Sequence, residues 1–198
     1  MTLEEMRQEV TDRGYDYVSA TRINRYLNRA YQRICARHLW PFLETEVTSP
    51  APLAMTDMRK VLAVRDADED TLLRAVSYNY LVNNFADLST EGTPEYWWID
   101  NGTIRVYPVS THNIQVRYSK VPAELTATDI PLIPERWQYL IVDRAVVDCL
   151  RDDDEYEEAR ALHNDVKEDI SLMTGDLLHQ NLQEPRTVLR TGGVGDYI

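Results

Sequence analysis

The sequence predicts an α+β protein: a helical bundle formed by N- and C-terminal helices, an inserted small antiparallel β domain, and an extended C-terminal tail. Three observations predict it. Apolar residues recur at helical spacing near both ends of the chain, alternate in short runs between Phe42 and Lys120, and lose all periodicity from about His179. The segments are 1–41 for the N-terminal helices, 42–130 for the β-rich insertion, 131–179 for the C-terminal helices and 180–198 for the tail. A chain of 198 residues can bury one sizeable core and is too short for two large domains.

The first helix opens at Thr2-Leu3-Glu4-Glu5, a capping box in which the Thr2 hydroxyl and the Glu5 carboxylate satisfy each other's orphan amides, and it runs to Gly14. Ser19 is the expected cap of a longer second helix, with Ile23, Leu27, Ala30, Tyr31 and Ile34 on one face and a stop at Trp40-Pro41. Its other face carries Arg22, Arg25, Arg29, Arg33 and Arg37. At roughly 100° per residue these five guanidiniums form one stripe, about a third of the circumference wide.

Six strands are expected in the insertion, at Leu43 to Thr48, Lys60 to Arg65, Thr71 to Ala75, Tyr96 to Ile99, Thr103 to Tyr107 and Ile114 to Ser119. Asp100-Asn101-Gly102 is the clearest hairpin signal, because Asn-Gly tolerates the positive φ of a tight turn. A short helix is expected at Ser77 to Phe85 and a loop at Ser89 to Pro94.

Pro134 suits a helix start, and Trp137, Leu140, Ile141, Ala145 and Cys149 or Leu150 share a side of a third helix that ends near Arg151. Asp152-Asp153-Asp154-Glu155 then offers a cap and first-turn acids to a fourth, striped by Ala159, Leu162, Val166, Ile170, Met173 and Leu177. The tail carries Arg186, Val188, Leu189, Arg190, Val194, Tyr197 and Ile198. It reads either as a frayed end or as a segment that folds on a partner through a few apolar anchors.

Composition narrows the functional classes. The hydrophobic fraction of 43% argues against wholesale disorder, and no apolar run approaches the length of a membrane span. Cys35 and Cys149 read as buried thiols of a reducing compartment, and the acid-bearing start MTLEEMRQEV is unlike an export signal. A net charge of −12 disfavours wrapping around nucleic acid, although such a surface suits DNA sliding past it.

The residues that could carry catalytic chemistry have ordinary structural roles in the sequence pattern. Asp152 to Glu158 lacks the ligand and glycine order of a calcium loop and reads as a charged helix start. His38, His112, His163 and His179 show no paired spacing for zinc, and no nucleophile elbow, phosphate loop or dinucleotide fingerprint occurs. No catalytic residue, metal or cofactor is therefore predicted. Trp97 and Trp98 cannot both be buried by alternation, so one is expected to pack in the core and the other to stay exposed, available to an interface.

The arginine stripe reads as a solvated face or as a subunit interface, with a nucleic-acid contact behind both. Asp154, Glu155, Glu158, Asp165 and Glu168, with Asp152 and Asp169 beside them, supply a matching acidic surface. Opposite charges on two faces of one protomer suit a head-to-tail contact that closes into a ring.

Three segments carry a family resemblance: MTLEEMRQEV with TRINRYLNRAYQRICARHLWPFLE, the hairpin GTPEYWWIDNGTIRVYP, and PLIPERWQYLIVDRAVVDCLRDDDEYEEARAL. In this order, from residue 1 to about 180, they resemble the head-to-tail adaptor (connector) proteins of tailed bacteriophages. The resemblance implies a homo-oligomeric ring, typically of about twelve copies, beneath a portal protein. It further implies a tail or second connector protein below, passage of DNA without specific binding, a tail docked on the portal, a place in the virion after assembly in the host cytoplasm, and no enzymatic activity. The alternatives are another ring component such as a tail-tube or hub protein, a nucleic-acid-binding regulator using the arginine stripe, and a metal-dependent hydrolase using the acidic cluster.

Overall fold

A computed structural model describes the backbone of residues 1–183 and the side chains of residues 1–177. Two helices open the chain, α1 (Leu3–Val10) and α2 (Ala20–Arg37). The insertion contains β1 (Glu44–Pro50), β2 (Leu53–Ala54), β3 (Met58–Asp66), β4 (Thr71–Leu72), β5 (Arg74–Ala75), α3 (Tyr78–Asn84), β6 (Tyr96–Asp100), β7 (Thr103–Tyr107) and β8 (Asn113–Lys120). The chain then returns to the bundle with α4 (Tyr139–Asp152) and α5 (Tyr156–Gln183). This is the α+β arrangement that the periodicity predicts.

The start of α1 is the expected capping box: the Glu5 amide donates to the Thr2 hydroxyl at 3.2 Å, and the Thr2 amide donates to the Glu5 carboxylate at 2.7 Å. Thr2→Ala is expected to cost about 1 kcal/mol in urea unfolding, because an orphan amide loses its acceptor. Beyond Val10 the helix widens into one π-helical turn, Thr11–Tyr15, within which Gly14 takes φ of 101°. Ser19 stands at the N-cap position of α2, but its hydroxyl accepts no capping hydrogen bond, contrary to expectation. At the other end of α2, Arg59 of β3 donates to the carbonyls of Cys35 and His38, both at 2.9 Å, and of Ala36 at 2.6 Å. One guanidinium thereby satisfies orphan helix carbonyls and ties the insertion to the bundle.

The bundle core forms around α4, which packs against α1, α2 and α5. Leu140, Ile141, Val142, Ala145 and Val147 of α4 are wholly buried with Leu27, Ala30 and Ile34 of α2 and Met173 of α5. Trp40 closes the end of this core, with its indole N–H donating to the Ile34 carbonyl at 2.9 Å. Both cysteines are free and buried, and burial pushes each thiol up to about 12, which keeps them protonated and inert.

The insertion consists of two four-stranded sheets, in the orders β1-β8-β3-β4 and β2-β7-β6-β5, with a separate apolar core of Leu53, Val64, Leu73, Ile104, Val106, Ile114 and Val116. Two details differ from the sequence reading. The strand expected at Thr71 to Ala75 is split at buried Leu73 into β4 and β5, which join different sheets; the Leu73 amide bonds Val64 and the next amide, of Arg74, bonds Glu95. The β5–β6 pair is also parallel, so the insertion is not purely antiparallel. The expected hairpin is present between β6 and β7, with φ of 47° at Asn101 and 77° at Gly102.

The acidic cluster terminates α4 as much as it begins α5. Asp154 takes φ of 64°, its amide bonds the Arg151 carbonyl, and the Glu155 amide bonds the Leu150 carbonyl. These two bonds are a Schellman closure that ends α4 at Asp152, next to the expected Arg151; the start expected at Pro134 is instead a 3-10 turn, Glu135–Trp137, and the α-helix begins only at Tyr139. The last helix continues past His179 to Gln183. The tail residues Arg186, Val188, Leu189, Arg190, Val194, Tyr197 and Ile198 lie outside the described residues. No helix among the described residues is long and apolar enough to cross a membrane.

Candidate functional site

The apolar face of α2 is turned into the core, so its five arginines are all exposed on the opposite face. They do not form a uniform stripe. Arg22 is held within the protomer, bonding Asp152 at 2.5 Å and the Tyr26 hydroxyl at 2.6 Å, while Tyr26 also donates to Asp152. Arg33 approaches Asp148 at 3.7 Å. Arg25, Arg29 and Arg37 have no ion-pair partner among the described residues.

Arg33 and Arg37 continue into a cleft of about 200 Å³ between α2, α4 and α5, where Arg144 and His163 join them over an apolar floor of Ile34, Val166 and Ile170. Arg144 donates to Nδ1 of His163 at 2.7 Å. That bond requires a neutral imidazole, and burial, reinforced by Arg144, Arg151, Arg37 and Lys167, holds His163 below its ordinary value. Asp148 stands at the edge of this cluster as its one buried carboxylate, with 8% of its side chain exposed. The sequence reading did not single out Arg144, Arg151 or Asp148, although their i, i+4 and i+3 spacing on one helix is the signal that finds them.

α5 separates this basic side from an acidic one. Ala159, Val166, Ile170 and Met173 face the core; helical phase puts His163 and Lys167 to one side of that stripe and Glu158, Asp165 and Asp169 to the other. On the acidic side Tyr139 donates to Asp169 at 3.1 Å, and Asp143 bonds Arg13 at 2.5 Å. Burial is the first cause holding Asp143 above the usual carboxylate value, with Glu9 and Asp169 adding to it against the Arg13 bond. Asp154 accepts from Tyr156 and Asp153 from Tyr17, whereas Glu155, Glu158, Asp165 and Glu168 have no ion pair or side-chain hydrogen bond among the described residues. Of the sequence-predicted acids, helical phase thus puts Glu158 and Asp165 on the flank of α5 away from His163 and the basic cleft, while Asp152 meets Arg22 inside the protomer.

A second constellation lies in the insertion. The side chain of Asp66, wholly buried at the end of β3, accepts from the amides of Asp68 and Glu69, and its Oδ2 lies 2.7 Å from Nδ1 of His112. Asp68 accepts from the amide and side chain of Asn113. Among the described residues, Asp66, Asp68 and His112 form a group that could together hold a metal ion, their ligand atoms lying within 4.8 Å of one another. As they stand, these atoms lock the β3–β4 turn onto the start of β8. Strand alternation carries the signal for Asp66, which shares the inward phase of Val64.

The Asp66 hydrogen bond raises the His112 pKa, with the charges of Asp66, Asp68 and Glu69 acting in the same direction. A raised histidine contributes stability fully below about pH 6.5 and loses it as pH rises through the folded-state value. The melting-temperature gap between the protein and H112Q is therefore expected to be wider near about pH 6 than near about pH 9. A gap that widens toward alkaline pH contradicts this assignment.

The sheet β2-β7-β6-β5 borders an apolar cleft of about 470 Å³ lined by Pro52, Tyr78, Trp98, Ile99, Val106 and Val109. Contrary to the expected split into one core and one exposed tryptophan, both are half-buried: Trp97 packs against the core of the insertion, and Trp98 lines this cleft near Tyr78 at a ring separation of 6.3 Å.

Against known families, the model described as SU10 adaptor protein matches residues 1–184, nearly the whole chain. No curated protein matches it.

Proposed function

The chain belongs to the SU10 adaptor protein family, a family of phage structural adaptors, and from that premise we propose that it is a head-to-tail connector protein without enzymatic activity. In this reading, copies of the chain form a ring of about twelve beneath the portal, join capsid to tail, and line the passage of DNA. The family match over residues 1–184 carries the proposal. Two features of the protomer support it: oppositely charged flanks, which suit head-to-tail closure, and the net charge of −12, which favours passage of DNA over its retention.

Lateral contacts are assigned to the exposed arginines of α2, chiefly Arg25, Arg29 and Arg37, against the acids Glu155, Glu158, Asp165 and Glu168. Arg22 is the weakest member of that set because Asp152 of its own protomer already holds it. The C-terminal segment is assigned to the portal. Co-sedimentation of the full chain with portal rings from the same particle tests the reading. Binding at a fixed ratio to portal subunits is expected, and a chain left wholly in the supernatant contradicts it.

A further inference from the structure

We infer that the cleft between α2, α4 and α5 is a carboxylate receptor, in which Arg33, Arg37 and Arg144 of its lining, with Arg151 beside Asp148 at its edge, receive acidic side chains from α5 of a second copy of this chain. The inference rests on the ring reading above and names the partner surface within it.

The cluster is short of negative charge. Arg33, Arg144 and Arg151 surround Asp148 at 3.7, 3.7 and 3.6 Å, all too long for hydrogen bonds, and Oδ2 of Asp148 has no hydrogen-bond partner. Arg37 adds a fourth guanidinium with no carboxylate of its own among the described residues. His163 already occupies one Arg144 nitrogen and, being neutral, adds no negative charge. The Arg144 side chain is only 12% exposed, and its burial among Arg151, Arg33 and Arg37 depresses its pKa. Three guanidiniums around one carboxylate, none hydrogen-bonded to it, with Arg37 in the adjoining cleft, are stabilised by any further carboxylate that enters. The apolar floor of Ile34, Val166 and Ile170 keeps such a contact partly dry, which strengthens it.

The complementary group is on the same protomer and faces away from the cleft. Glu158 and Asp165 are exposed on the opposite flank of α5 and carry no ion pair among the described residues. A receptor on one flank and its ligand on the other make a heterologous contact, the kind that propagates around a ring. A phosphate of DNA would meet the same guanidiniums, but the protein's overall negative charge opposes its approach.

Sedimentation velocity of the full chain, alone and with portal rings, tests the inference. The variants are R37E/R151E in and beside the cleft, E158R/D165R on the acidic flank, and the fourfold variant carrying both reversals. Each twofold variant is expected to melt cooperatively as a folded monomer and to lose self-association, and the fourfold variant to recover it through the exchanged charges. Assembly of R37E/R151E at the wild-type level overturns the inference and leaves the ring reading standing. Loss without recovery in the fourfold variant also overturns it, since the cleft then has a different occupant. So does normal assembly of R37E/R151E combined with lost binding of duplex DNA, which assigns the cleft to phosphate. A wild-type chain that stays monomeric even with portal rings overturns the ring reading and the inference together.

Discussion

Leu140→Ala is expected to destabilise the protein by about 3–5 kcal/mol, read as a fall in the urea midpoint at unchanged slope. Leu140 is wholly buried on α4, the helix that α1, α2 and α5 all pack against. Its neighbours on α4, Ile141 and Val142, are equally buried, so little is free to collapse into the space left by the lost methyls. A loss below about 1 kcal/mol would mean that the helices do not pack around α4 as described.

Deletion of residues 184–198 is expected to abolish co-sedimentation with portal rings while leaving the melting temperature nearly unchanged. The described bundle and insertion cores are built from residues up to Leu177, so the deletion removes none of their buried side chains. What it removes are Arg186, Val188, Leu189, Arg190, Val194, Tyr197 and Ile198, the apolar and basic residues proposed to anchor on the portal. Ordering such a segment costs about 1–2 kcal/mol per residue of backbone entropy, so the anchors must bury enough surface on the portal to outweigh it. Undiminished binding of the shortened chain removes the tail from the portal contact and moves that contact onto the folded body.

The parts of the fold legible in the sequence are those governed by local chemistry. Thr2 with Glu5 and Asn101 with Gly102 are pairs whose geometry is fixed within four residues, and both form as read. The apolar stripes of α2, α4 and α5 were legible because burial against a single core enforces the helical period. Leu73 was not, because only the three-dimensional placement of Val64 and Glu95 shows that consecutive amides bond different sheets. The stop role of the acidic run after α4 was hidden for a related reason, although the helix ends at Asp152, next to the expected Arg151. Four acids in a row suggest a helix start, whereas the left-handed turn at Asp154 makes them a stop first.

The candidate interface shows the same division. The arginines of α2 could be counted from their spacing, but the sequence could not say that Arg22 is bound to Asp152 in its own protomer while Arg37 stands beside Arg144 of another helix. Asp66 and His112 lie 46 residues apart, and no spacing rule joins them. Long-range electrostatics becomes visible only when the fold sets distances. The identity of the binding partner is one step further out, because a receptor's shape on one copy is completed by a surface on the next.

The native mass of the complex between the full chain and the portal ring tests the central claim most directly. The account predicts one discrete species containing a closed, fixed number of copies, about twelve, per portal ring. A ladder of substoichiometric species, or a mass equal to that of the portal ring alone, would contradict it.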